Sequence, residues 1–145
     1  LTRVLSASEI KFYRPKQINN FAPLAKLLDP DKFLKTMVNL GELDEVTSNY
    51  GYDCSALCHN SVAWALKQLS RTIYFEEIKV CYGKYGWGEH SWLQLGDYYI
   101  DLTLAQFRRS VPRLAITLAT QAEENGYKCS SVYTAREWIR DELGG

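Results

Sequence analysis

The chain has 145 residues, of which 46% are hydrophobic and 23% charged, and this balance predicts one globular domain over residues 1–145. Its 17 basic and 17 acidic residues cancel, so it lacks the excess positive charge with which proteins bind nucleic acids. No apolar run approaches the roughly 18 residues of a membrane-spanning helix. We therefore expect a soluble protein whose partners are neither nucleic acid nor membrane.

Two amphipathic helices are predicted in the first third of the chain. Apolar residues recur at helical spacing from Phe21 to Leu28 and again from Phe33 to Leu40. Between the two stretches, Asp29 and Pro30 are the residue types that cap and begin a helix. We expect both helices to be scaffold rather than site.

A third helix and a set of strands follow the polar segment ELDEVTSNYGYD. Apolar residues mark the helix from Leu57 to Leu69, and two cysteines, Cys54 and Cys58, lie where it begins. TIYFEEIKVCYG, HSWLQL and YYIDL then have strand character. Near the end, Thr134 and Glu137 form a capping-box pattern before a last helix. This order predicts an α+β fold in which N-terminal helices pack on a small antiparallel sheet.

A hairpin turn at Gly96-Asp97 is predicted to bring two ionisable residues, His90 and Asp101, together. The two-residue turn places Leu95 opposite Tyr98. His90 and Asp101 are then diagonal neighbours on one face, with Cβ atoms about 7–8 Å apart, close enough for their side chains to hydrogen-bond. The opposite face carries an apolar stripe of Leu93, Leu95, Tyr98, Ile100 and Leu102. A slip of one residue would exchange the two faces.

Thiol chemistry is the function that these residues indicate. A cysteine becomes a reactive thiolate beside a base, a cation or a helix N-terminus, and His90 with Asp101 can supply the base and the group that orients it. His59 is expected on the helix surface rather than as the base. Cys54 and Cys58 have a spacing that could serve zinc, but no second close pair follows. We therefore expect no metal and no other cofactor.

Three segments resemble the transglutaminase-like branch of the papain-like cysteine enzymes: CHNSVAWAL, IKVCYGKY and HSWLQLGDYYIDLTLAQF. In that branch, a cysteine at a helix start precedes a strand with His-x-Trp and a strand with Asp-x-Thr. The chain is also similar to small bacterial proteins that end this pattern with a Gln-Phe pair, here Gln106-Phe107. The likeness covers residues 51–107, and it implies Cys58 as nucleophile, His90 as base and Asp101 as orienting acid.

Cys54 is the alternative nucleophile. The run from Asp53 to Leu57 resembles the Asp-Cys-Ser-Gly-Leu motif of NlpC-type peptidoglycan endopeptidases, with alanine in place of glycine. No NlpC-like segment surrounds His90. We favour Cys58 because the lengths of the following helix and strand fit the transglutaminase-like pattern better from there.

The resemblance implies an enzyme that acts on an amide or thioester of a protein or peptide. Protease, deamidase and transglutaminase share the acyl-enzyme intermediate and differ in the substrate and the acceptor. Trp92 and Gln106 are the predicted substrate contacts, with packing as the simplest alternative role for Trp92 and an equal alternative for Gln106. Cys81 and Cys129 are expected to be core or incidental.

The small size would suit a bacterial effector or toxin domain, with a cognate inhibitor or immunity protein as a further partner. Because the first residue is leucine, we expect a processed product or a piece of a longer protein. Its location stays open between the cytoplasm and delivery within a larger secreted protein. The alternative from another class is a catalytically silent binding module, such as an immunity or adaptor protein.

Overall fold

A computed structural model of the protein describes residues 22–44, 57–104 and 113–144. Within these ranges, helices precede and follow the strands of one sheet, so the predicted α+β class is confirmed at this coarse level. In chain order the elements are α1 (Ala22–Leu27), α2 (Pro30–Asn39), α3 (Cys58–Leu69), β1 (Ile78–Tyr85), β2 (Gly88–Leu95), β3 (Tyr98–Asp101), β4 (Ala115–Leu118), α4 (Ala119–Glu124), β5 (Tyr127–Thr134) and α5 (Ala135–Leu143).

The helix ends form for the reasons that the sequence indicates. At α2, the Asp29 carboxylate caps the helix by accepting from the Asp31 backbone N–H at 2.9 Å, and Pro30 is the first helical residue. At α5, Thr134 and Glu137 make both hydrogen bonds of a capping box. The predicted starts of both helices are therefore confirmed.

The described sheet is antiparallel, with strand order β4-β3-β2-β1-β5. In the hairpin between β2 and β3, Leu95 pairs with Tyr98 and Leu93 with Ile100, so the predicted register is confirmed. Gly96 has φ 58°, the positive value that a two-residue hairpin turn requires at its first central residue. β5 reaches the sheet from much later in the chain and pairs with β1.

The first strand begins later than the sequence pattern predicts. The segment TIYFEEIKVCYG was expected to be extended throughout, but residues 72–77 form turns and β1 begins at Ile78. The Thr72 hydroxyl group donates to the Leu69 carbonyl at 2.8 Å and accepts from the Tyr74 N–H at 3.2 Å. Local side-chain bonds of this kind favour turns over strands.

Hydrophobic clusters cover both faces of the sheet. One face packs against α1, α2, α3 and α5 through residues that include the predicted stripe of Leu93, Leu95, Ile100 and Leu102. The other face carries a second cluster, which contains Trp92, Tyr99 and Tyr127 together with alanines of α4. None of the helices in the described ranges has the length and apolarity needed to cross a membrane. Because the second cluster covers it, the sheet face that carries His90 and Asp101 is enclosed rather than open to water.

Candidate active site

Cys58 is the first residue of α3. Leu57 precedes it with φ −97° and ψ 3° and provides no side-chain cap for the helix. The first N–H groups of a helix lack intrahelical acceptors and form the positive end of the helix dipole, which favours a thiolate. The sequence places Cys54 and Cys58 near the start of this helix, and in the structure the helix begins at Cys58. Cys54 lies outside the described residues.

His90 and Asp101 form a buried pair. His90 Nε2 lies 2.6 Å from Asp101 Oδ2, and the two side chains are 0% and 2% exposed. The contact lies just beyond Leu93 and Ile100, where the β2–β3 ladder ends. The predicted juxtaposition of His90 and Asp101 is therefore confirmed. Because Nε2 is engaged by the carboxylate, Nδ1 is the ring nitrogen that remains for the thiol of Cys58.

Asp101 accepts further hydrogen bonds that fix its orientation. The Tyr127 hydroxyl group donates to Oδ2 at 2.7 Å, while the Thr103 backbone N–H donates to Oδ1 at 2.8 Å. Tyr127 is not among the residues that sequence reasoning identified. It lies on β5, which reaches the sheet beside β1, and no local pattern around it indicates that placement. Both carboxylate oxygens of Asp101 are thus held as acceptors.

The three candidate residues shift one another's pKa values. Burial opposes ionisation of Cys58, but its hydrogen bond with His90, the charge of His90 and the Ser91 backbone outweigh burial and lower the thiol pKa. Burial alone would lower the pKa of His90, yet Asp101 and then Cys58 raise it to about 9. Burial likewise opposes the charge of Asp101, but His90, Tyr127 and Thr103 hold its pKa below the usual range. These directions favour the thiolate–imidazolium form of the pair.

Trp92 supports His90 from behind rather than lining the cleft. Its ring stacks on the imidazole with centroids 5.6 Å apart and an interplanar angle of 28°, and it meets Tyr127 edge-on at 5.0 Å. Trp92 is only 1% exposed, a position at odds with the predicted contact to substrate. We assign it to positioning His90. Gln106, the other predicted substrate contact, lies outside the described residues.

A cleft of about 360 Å³ opens beside Cys58, His90 and Ser91. Besides His59 of α3, residues of β1, β2, β5 and α5 form the rest of its described lining. His59 also lies at this cleft, exposed, with its ring 5.0 Å from that of Trp138. The carboxylate of Asp101 bonds to His90 and not to His59, so His90 is the histidine with an orienting partner.

Cys81 and Cys129 differ from Cys58 in environment. Cys81 is 0% exposed, as predicted for a core residue, and burial raises its pKa far above that of an ordinary thiol. Cys129 is partly buried, and its Sγ lies 3.4 Å from the Ser131 carbonyl oxygen. In the described ranges, no three His, Cys, Asp or Glu side chains are grouped so that they could hold a metal ion. Cys58 is thus the described cysteine whose surroundings promote ionisation.

Tyr127→Phe is expected to destabilise the protein in a pH-dependent way. The ring stays, but buried Asp101 loses a donor, which costs about 1.5–3 kcal/mol for a hydrogen bond to a charged group. Because the folded-state pKa of Asp101 is lowered, its stabilising effect is present above the pKa of the unfolded aspartate and is lost as pH falls. Urea unfolding should therefore show a large difference from wild type at neutral pH and a smaller one in acid.

Tyr99→Phe is the matched control for this change. Tyr99 belongs to the same aromatic cluster, but its hydroxyl group bonds to Glu123 at 3.1 Å rather than to Asp101. Its substitution should cost little stability and should show no comparable acid dependence. An equal, pH-independent loss in both variants would contradict the role assigned to Tyr127.

Comparison of the chain with protein-family models, with curated proteins and with solved structures finds no match. Any functional assignment therefore depends on the residues and geometry of the site itself. Those residues are linked by successive hydrogen bonds, from the Cys58 thiol at the start of α3 to His90, then to Asp101 and Tyr127.

Proposed function

We propose that the protein is a cysteine-dependent acyl-transfer enzyme of the papain-like, transglutaminase-like type. The observation that supports this most strongly is the buried His90–Asp101 bond of 2.6 Å beside a helix-start cysteine whose pKa is lowered. A nucleophile, a base and a group that orients the base are the parts that thiol-dependent acyl transfer requires.

Each residue has a defined part in the proposed reaction. The Cys58 thiolate attacks a carbonyl carbon, and the C=O electron pair moves to oxygen to give a tetrahedral oxyanion. The N–H groups in the first turn of α3, which have no acceptors within the helix, favour that negative charge. As the carbonyl re-forms, the bond to the leaving group breaks, and the His90 imidazolium protonates that group. The product is a thioester on Cys58.

Neutral His90 then takes a proton from water or an amine, which attacks the thioester. The tetrahedral intermediate then collapses and its C–S bond breaks, which releases the acyl product. The sulfur leaves as the Cys58 thiolate, and His90, now protonated, restores the starting pair. Water as acceptor corresponds to a protease or deamidase, and an amine to a transglutaminase. We propose a protein or peptide amide as the substrate, as for an effector or toxin domain, without a cofactor.

Acylation by an activated ester tests the proposal without knowledge of the natural substrate. The intact protein is mixed with p-nitrophenyl acetate, the burst of p-nitrophenolate is followed, and peptide mass spectrometry locates the acetyl group. We expect a burst close to one equivalent, with the acetyl group on Cys58. Cys58→Ala should abolish the burst, and Cys129→Ala is the matched control that should retain it.

Two results would overturn the proposal in different ways. A burst that persists in Cys58→Ala, with the acetyl group on Cys54, would transfer the reaction to the NlpC-like alternative. No burst in the folded wild-type protein would favour the catalytically silent binding module.

A further inference from the structure

The cleft beside Cys58 is acidic although the chain as a whole has no net charge. Glu89 of β2 and Glu142 of α5 line it, and the described lining includes no lysine or arginine. Neither glutamate forms an ion pair with a lysine or arginine in the described part of the chain. Lys84 lies opposite Glu89 in the β1–β2 ladder but makes no such pair. Among the described residues, neither carboxylate therefore has a lysine or arginine partner.

An exposed aromatic ring lies beside one of these carboxylates. Tyr82 of β1 is 40% exposed and lines the cleft together with Tyr133 of β5. The charge of Glu89, burial and a hydrogen bond between Tyr82 and Glu89 raise the pKa of the tyrosine. An aromatic face next to a carboxylate is a favourable environment for an ammonium or guanidinium group.

The candidate catalytic residues add to the negative charge. With Cys58 as thiolate, His90 as imidazolium and Asp101 as carboxylate, these three residues carry a net charge of −1. Glu89 and Glu142 add two negative charges at the cleft. A cleft of one charge sign attracts ligands of the opposite sign and repels those of the same sign.

We propose that the cleft selects a substrate segment that carries a cationic side chain, lysine or arginine, next to the reacting carbonyl group. Glu89 and Glu142 provide the charge, and the ring of Tyr82 provides the surface on which the cation lies. This inference rests on the proposed function, because it takes Cys58 as the reacting group. Acidic segments are disfavoured by the same charges.

Three thiol reagents that differ mainly in charge test the proposal on the intact protein. They are (2-aminoethyl), methyl and (2-sulfonatoethyl) methanethiosulfonate, which are cationic, neutral and anionic. The rate of modification at Cys58 is measured by peptide mass spectrometry near pH 8, where an ordinary thiol is also partly ionised. The cationic-to-anionic rate ratio is divided by the same ratio for 2-mercaptoethanol, which removes the reagents' intrinsic differences.

We expect a normalised ratio of roughly tenfold or more in the wild-type protein, the range that electrostatic focusing in a cleft produces. The ratio should fall towards one in the Glu89→Gln/Glu142→Gln double variant. Glu124→Gln, on the exposed side of α4, is the matched control and should retain the wild-type ratio. High salt should lower the wild-type ratio through screening.

A wild-type ratio near one, or a ratio that the double variant leaves unchanged, would overturn the inference. The neutral reagent separates this outcome from failure of the proposed function. If Cys58 reacts with it at about pH 6 no faster than an ordinary thiol, activation of Cys58 is wrong, whereas the charge ratio near pH 8 still reports the preference of the cleft.

Discussion

Asp101→Asn is expected to lower the rate of Cys58 acylation roughly 10³-fold or more and to leave the fold intact. Oδ2 of Asp101 accepts from both His90 and Tyr127, and Oδ1 accepts from the Thr103 backbone N–H. An asparagine amide has one acceptor and one donor group, so either orientation points its NH₂ at groups that now donate. The charge that raises the pKa of His90 is also lost.

The consequence for His90 is the wrong proton arrangement. If the amide NH₂ faces Nε2, the imidazole must carry its proton on Nδ1, and it can no longer accept the proton of Cys58. The burst of p-nitrophenolate measures this loss, and urea unfolding checks that the variant folds. Asp97→Asn, the same change at an exposed turn residue, should leave the burst unchanged. Near-normal acylation by folded Asp101→Asn would remove Asp101 from the mechanism.

His90→Ala should slow alkylation of Cys58 by iodoacetamide about a hundredfold or more at mildly acidic pH, since each unit of thiol pKa changes the thiolate fraction tenfold. In the wild-type protein, the effects of His90 and Ser91 outweigh burial. Without the imidazole, burial and the charge of Asp101 both raise the thiol pKa. The reaction of the variant should therefore recover only in alkaline solution.

His59→Ala is the control for this experiment, because His59 adjoins Cys58 in sequence and lines the same cleft. Its removal should leave the pH profile of Cys58 close to that of the wild-type protein. A large effect of His59→Ala together with little effect of His90→Ala would exchange the roles of the two histidines.

Local sequence patterns were sufficient to predict part of the site. The glycine-first turn and the alternation of apolar residues determine the β2–β3 register, and that register alone brings His90 to Asp101. The start of α3 could be narrowed only to two positions, because Cys54 and Cys58 both lie near the beginning of the apolar repeat. The structure distinguishes them through the nonhelical backbone of Leu57.

The remaining features depend on contacts between distant parts of the chain. Tyr127 donates to Asp101 from β5, a strand that was not predicted from the sequence. Burial alternates along β5 where it pairs with β1, but the residue types in YKCSSVYT do not alternate regularly between apolar and polar. The burial of Trp92 likewise depends on a distant part of the chain. Trp92 lies in the second hydrophobic cluster with Ala119 and Ala122 of α4, a helix that was not predicted from the sequence.

The most direct test of the account is the site and pH dependence of alkylation in the wild-type protein. Brief treatment with iodoacetamide at about pH 6, well below the usual thiol pKa of about 8.5, labels only an activated cysteine. Peptide mass spectrometry should find the adduct on Cys58, with little on Cys81, whose pKa is raised by burial. An adduct confined to Cys54, or a Cys58 that reacts only in alkaline solution, would contradict the assignment of Cys58 as the activated nucleophile.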